Sequence, residues 1–95
     1  MFEMNLKSKK ITVVGKVQGI FFRKNTLEKA LQIGLKGNVR NQNDGSVFIQ
    51  ATGSDEQINE LITWCHIGSP NSAVDEVLVE EIPIKEFPDF AIVYA

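Results

Sequence analysis

The chain has 95 residues, 43% hydrophobic and 23% charged, which suits one globular domain around one core, leaves no room for a second folded unit, and offers nothing near the ~20 consecutive apolar residues of a membrane span. Its formal net charge of -2 argues against nonspecific nucleic-acid binding, which needs many phosphate-neutralising cations. A single cysteine, Cys65, and a single histidine, His66, exclude an internal disulfide and a structural zinc site, so neither a metal nor another cofactor is expected.

The start, MFEMNLKSKK, has no apolar run followed by a small-residue cleavage site, so the cytoplasm is the expected address. Residues 1–8 read as a loose extension ahead of the domain. Ile11, Val13 and Val17 then alternate with Thr12 and Lys16, and Val14 makes both faces apolar, as in a central strand; this strand ends at Gly15. Leu27, Ala30, Leu31 and Gly34 repeat at the spacing of one helix face, with Gly34 as C-terminal cap, so a helix is predicted over about 22–33. Leu35 to Gln42 reads as a strand, Asn43-Asp44-Gly45 as a tight turn, and Val47, Ile49 and Ala51 as the inward face of the returning strand of a hairpin. Ser54 and Gln57 form a capping box ahead of a second helix, over about 55–66, whose apolar stripe is Ile58, Leu61, Ile62 and Cys65. Gly68-Ser69-Pro70 stops it. Val77 to Ile82 is one more strand, its acids lying on the solvated face and edge, and Phe90 to Tyr94 is a short last segment able to pair at the sheet edge. The order is βαββαβ with a possible fifth strand, which implies an α+β sandwich with both helices on one face of an antiparallel sheet.

Charge is divided along the chain. Residues 1–40 hold nine of the ten cations against two acids, whereas residues 41–95 hold Lys85 against ten acids. Either the cationic half attracts an anion or the halves interleave and cancel. The strongest anion candidate is the segment from Gly15 through Lys16, Val17, Gln18, Gly19, Ile20, Phe21 and Phe22 to Arg23. Two glycines four apart let a backbone curl with its N–H groups inward, and the loop runs into a helix N-terminus, where unpaired donors and the dipole favour negative charge. Arg23 sits in the first helical turn, where dipole logic disfavours a cation unless an anion or a carboxylate compensates it. Glycine spacing alone leaves open that the loop merely turns. Asn41 stands two residues from Val39 on the same strand face, where an amide needs a partner or a task. Cys65 reads as core, and Trp64 and His66 as helix-flank residues.

Residues 15–23 resemble the phosphate-binding signature of the acylphosphatase family, G-x-V-Q-G-V-x-F-R, and GNVRNQNDGSV at 37–47 resembles its second signature, G-x-V-x-N followed by a turn and Val. Gly68-Ser69-Pro70 and Ala73-Val74-Asp75-Glu76-Val77 also resemble the family, so the likeness covers about residues 9–94. It implies a ferredoxin-like fold of strand order 4-1-3-2 with a short fifth strand beside strand two. It also implies a metal-independent, cytoplasmic and monomeric hydrolase that cleaves acyl phosphates to a carboxylate and inorganic phosphate without a phosphoenzyme. Gly15, Val17, Gln18, Gly19, Ile20 and Arg23 would bind the phosphoryl group, Arg23 and Asn41 would be catalytic, Asn41 by orienting water, and inorganic phosphate or sulfate would compete. Asn38 and Val93 depart from the family pattern, which bears on packing around the second strand and on anchoring of the C-terminus. Two alternatives share the scaffold: a noncatalytic anion-binding regulatory module, and an RNA-binding sheet of the RRM type. For the latter, the third strand, Ser46 to Thr52, lacks the basic-Gly-aromatic pattern that stacks bases.

Overall fold

A computed structural model describes residues 5–19 and 21–94. The elements are β1 (Leu6–Lys16), α1 (Phe22–Ile33), β2 (Lys36–Asn41), β3 (Val47–Ser54), α2 (Asp55–Ile67), β4 (Ala73–Ile82) and β5 (Phe90–Ile92), in one sheet of order β4-β1-β3-β2-β5. β1 pairs antiparallel with β3 and β4, and β2 antiparallel with β3, while β5 pairs parallel with β2. The four main strands are antiparallel in the expected order 4-1-3-2, and the short fifth strand beside strand two runs parallel to it. Its direction follows from the chain path. Segment 83–89 leaves β4 at one edge and passes β1 and β3, where the Lys85 N–H donates to Ser8 Oγ (2.9 Å) and its carbonyl accepts from Thr52 Oγ1 (2.7 Å). At the opposite edge Gly37 N–H bonds to the Asp89 carbonyl (2.9 Å) and Val93 N–H to the Val39 carbonyl (2.8 Å). These bonds fasten the C-terminal segment despite the departure at Val93.

The assignment of residues 1–8 to a loose extension is also corrected. Leu6, Lys7 and Ser8 belong to β1, opposite Ser54, Gly53 and Thr52; residues 1–4 lie outside the described residues. Ser8 is buried and shares a 2.6 Å hydrogen bond with Thr52 Oγ1, so a polar side chain is satisfied inside the sheet and the strand includes the polar run 7–10 ahead of Ile11.

The core joins Ile11 and Val13 of β1, Val39 of β2, Val47, Ile49 and Ala51 of β3, Ile58, Leu61 and Cys65 of α2, and Phe22 and Ala30 of α1. Helix α2 follows its predicted stripe, and Ser54 and Gln57 form the capping box. Helix α1 does not. Its buried residues are Phe22, Thr26 and Ala30, four apart, and Leu31 is 59% exposed. Thr26 can lie inside because its hydroxyl donates to the Phe22 carbonyl (2.8 Å), which removes the cost of burying it. Among the described residues no helix is long and apolar enough to cross a membrane.

Candidate active site

The site forms where the loop after β1 meets the end of β2. Strand β1 is bulged between Val14 and Gly15, with Gly15 at φ 138, and a Cβ there would strike the Ala73 carbonyl of β4. Only glycine lets the neighbouring backbone approach so closely at the turn. Beyond it the chain is pinned at two apolar anchors, Val17 and Phe22, both fully buried. Phe22 stacks at 5.3 Å and a 50° tilt on Trp64 of α2, which fixes where α1 begins. Between the anchors, Gly19 (φ 74) and Phe21 (φ 61) take the left-handed conformation. Ile20 lies outside the described residues.

Gln18 ties this loop to the β2–β3 hairpin. Its amide donates to the carbonyls of Gln42 (2.8 Å) and Ser46 (2.9 Å), so its side chain is committed to the hairpin and its backbone N–H is what it can offer an anion. The turn is internally braced. Asp44 Oδ1 accepts from Ser46 N–H (2.9 Å) and Ser46 Oγ (2.6 Å), and Gln42 N–H donates to the Ser46 carbonyl (2.9 Å). The Ser46 hydroxyl and then its N–H hold the Asp44 carboxyl below the usual carboxylate range. Only Gly45 of the turn has positive φ.

Arg23 and Asn41, eighteen positions apart, line one cavity of about 460 Å³ together with Val17, Gly19 and Tyr94. An adjoining hollow is lined by Gln18, Arg23, Asn41 and Tyr94. Asn41 lines both hollows, and its amide oxygen is buried without a hydrogen-bond partner among the described residues. The Arg23 guanidinium lies over the Tyr94 ring at 4.9 Å and pairs with no carboxylate among the described residues; the first turn of α1 holds no acid. The conflict between a cation and the positive end of a helix is thus left for an anion to relieve. No Asp, Glu, His or Cys lines either hollow among the described residues, and no group of three such side chains there could hold a metal. Cys65 is buried in the core, where desolvation pushes its thiol up to about 12, and His66 is an exposed residue of the last turn of α2.

Gly15, Val17, Gln18, Gly19, Arg23 and Asn41 are therefore gathered at one end of the sheet, Gly15 at the root of the loop and the others at the two hollows. Sequence reasoning missed Phe21, Lys24, Ile92 and Tyr94, which share the larger cavity. For Tyr94 the available signal was an aromatic ring two residues past the last strand.

A sequence model of the acylphosphatase family matches residues 9–92. The chain belongs to that family. It is 47% identical over 81 residues to the acylphosphatase of Marinobacter nauticus, covering 84% of this chain and 88% of that one. To the acylphosphatase of Thermoplasma volcanium it is 44% identical over 87 residues, covering 92% and 97%. The solved structure of an acylphosphatase from Coxiella burnetii superposes with a TM-score of 0.92 at 37% identity, over 98% of this chain and all of that one. The ferredoxin-like fold of this family member is the one its signatures implied.

Proposed function

We propose that this acylphosphatase hydrolyses its substrate in the cavity between loop 15–23 and Asn41. The backbone N–H groups of Val17, Gln18, Gly19 and Ile20 and the guanidinium of Arg23 bind the phosphoryl oxygens, in a loop shaped by Gly15 and Gly19. Asn41 aims the water. The observation that carries this reading is the meeting of Arg23 and Asn41 on one cavity, with no carboxylate among its described lining residues. The Asn41 amide hydrogen-bonds the water and leaves a water lone pair directed at phosphorus. The new P–O bond forms as the bond to the bridging oxygen breaks. The carboxylate leaves with that oxygen and its electron pair, and the water's proton passes to the phosphate product or to solvent.

A carboxylate is a weak base, so its departure needs little general-acid help, in accord with the lack of an Asp, Glu, His or Cys side chain among the described lining residues. Negative charge spread over the phosphoryl oxygens meets preorganised N–H donors, the positive end of α1 and Arg23. Those groups supply the charge neutralisation, and we read the reaction as metal-independent, without covalent intermediate, in a monomeric cytoplasmic protein. Inorganic phosphate and sulfate present the same tetrahedral oxyanion and compete with substrate. The test is phosphate release from acetyl phosphate, with inhibition by phosphate and sulfate measured alongside. Folded protein that turns over but is indifferent to both anions at high millimolar concentration would refute the loop assignment.

A further inference from the structure

The tip of the β2–β3 hairpin carries a chemical liability that its hydrogen bonds offset. Gly45 stands at φ 94, with open space where a Cβ would be, so the turn calls for glycine on conformational grounds alone. That glycine follows Asp44, which is exposed. An aspartyl-glycine bond is unusually open to internal attack, because no side chain shields the glycine nitrogen from the neighbouring carboxyl carbon. The aspartate has its own task in the turn, since its Oδ1 accepts from Ser46 N–H (2.9 Å) and Ser46 Oγ (2.6 Å). Gln42 Nε2 donates to the same Ser46 hydroxyl (2.9 Å), which directs its hydrogen at Asp44. Gly45 N–H is engaged too, donating to the Gln42 carbonyl (3.1 Å).

We propose that Asp44 is a site of spontaneous isoaspartate formation, that Ser46 holds the reaction in check in the native hairpin, and that the rearranged chain has a disabled active site. In the reaction the Gly45 nitrogen attacks Asp44 Cγ. The N–Cγ bond forms, the N–H hydrogen and the carboxyl hydroxyl leave as water, and a succinimide ring closes. Water then adds to a ring carbonyl. Addition at the Asp44 main-chain carbonyl breaks its bond to the Gly45 nitrogen, so the chain runs through Cβ and Cγ and the old main-chain carbonyl becomes a free carboxylate. The hydroxyl leaves only from a protonated carboxyl, whereas the two Ser46 bonds favour the ionised form. They also hold Cγ in place while Gln42 occupies the attacking N–H. Rearrangement adds a methylene to the turn and takes the acceptor from Ser46. Gln18 fastens the loop to the carbonyls of Gln42 and Ser46, on either side of the lesion, and Asn41 directly precedes Gln42. Damage at the tip therefore reaches both halves of the site. This last step rests on the assignment of the site to loop 15–23 and Asn41; the rearrangement does not.

The experiment ages the whole chain at neutral pH and measures isoaspartate at residue 44 by peptide mapping and by enzymatic methylation of the isoaspartyl carboxylate. Wild type, Ser46→Ala and Gln42→Ala are compared, each folded and in urea, with circular dichroism as the check on folding. Folded wild type should rearrange about tenfold or more slowly than the same chain in urea. Folded Ser46→Ala should rearrange about tenfold faster than folded wild type, the effect of losing one hydrogen bond to a charged group. Gln42→Ala keeps the Ser46 hydroxyl without its orientation and should lie between; it decides the matter if Ser46→Ala does not fold. Equal rates in folded and unfolded wild type, or folded variants no faster than wild type, overturn the protective role. Absence of isoaspartate at residue 44 even in urea overturns the site. The purified isoaspartyl form should lose about tenfold or more in kcat/KM for acetyl phosphate and lose the rise in Tm with inorganic phosphate; full activity overturns the functional step. An undamaged wild type that phosphate does not protect refutes the loop assignment instead, and leaves the isoaspartate measurement standing.

Discussion

Replacing Gln18 by alanine tests whether the loop and the hairpin act as one unit. The substitution removes two hydrogen bonds, to the carbonyls of Gln42 and Ser46. Neither carbonyl is orphaned, because Gln42 O still accepts from Gly45 N–H (3.1 Å) and Ser46 O from Gln42 N–H (2.9 Å). The penalty for a buried unsatisfied acceptor therefore does not arise, and the cost is the net worth of two neutral bonds, about 1–2 kcal/mol. In a chain of this size that lowers Tm by roughly 5–15 °C if the whole fold bears it, and less if the loop opens by itself. In the second case the energy reappears on binding, because phosphate must first close the loop; 1–2 kcal/mol weakens phosphate affinity about 5- to 30-fold. Thermal melts with and without phosphate separate the two, and kcat/KM should fall at least as far as phosphate affinity. Gln18→Glu should be worse than Gln18→Ala, since a carboxylate cannot donate and would face two carbonyl oxygens. A Gln18→Ala variant with wild-type Tm and wild-type phosphate protection would show that the bridge fastens nothing.

Three further outcomes are expected. Arg23→Gln should weaken phosphate binding and lower turnover together, whereas Asn41→Ala should leave phosphate affinity within about threefold while kcat falls by roughly 10² or more, as when one positioned polar group is lost; loss of phosphate binding in Asn41→Ala with normal kcat would reverse the roles. Turnover should persist in excess EDTA, and activity lost to the chelator but restored by Mg²⁺ would establish a metal requirement. The Cys65 thiol, raised from an ordinary 9.0 to about 12 by burial, contributes stability that is fully present below pH 9.0 and is lost as pH rises toward about 12, because the unfolded chain ionises first. Tm against pH in the alkaline range should carry this slope in the wild type and lose that component in Cys65→Ala.

The elements were legible because they obey simple periods: alternation in β1 and β3, a regular stripe and a capping box in α2. Helix α1 was misread on one side because polarity was taken as a proxy for exposure. Thr26 is polar by type and buried by virtue of its bond to the Phe22 carbonyl, so Leu31 faces outward. The parallel run of β5 was not legible: three residues carry no directional signal, and direction is set by segment 83–89 through bonds to Ser8, Thr52 and Gly37. At the site, Arg23 and Asn41 could be named because two signatures held them, whereas the task of the Gln18 side chain depends on two carbonyls 24 and 28 residues away. The left-handed backbone at Phe21 is likewise a property of how Val17 and Phe22 are anchored, which no local pattern encodes.

Of the two readings of the divided charge, interleaving is seen in part of the molecule. Lys7 and Lys9 approach Asp55 (3.2 and 3.9 Å), Lys10 approaches Glu80 (3.6 Å) and Lys29 approaches Glu60 (3.5 Å), so the cationic and acidic halves do interleave along β1 and between the helices. These pairs are solvent-exposed on at least one side and contribute little to stability. Their effect on the field is larger. They neutralise cations away from the loop end of β1, while Lys16, Arg23 and Lys24, around the loop and its cavity, have no acidic partner among the described residues. A chain of net negative charge thereby keeps a local positive potential at the mouth of its site, reinforced by the N-terminus of α1. Such a potential would favour a small dianion without the extended cationic surface that would also retain nucleic acid.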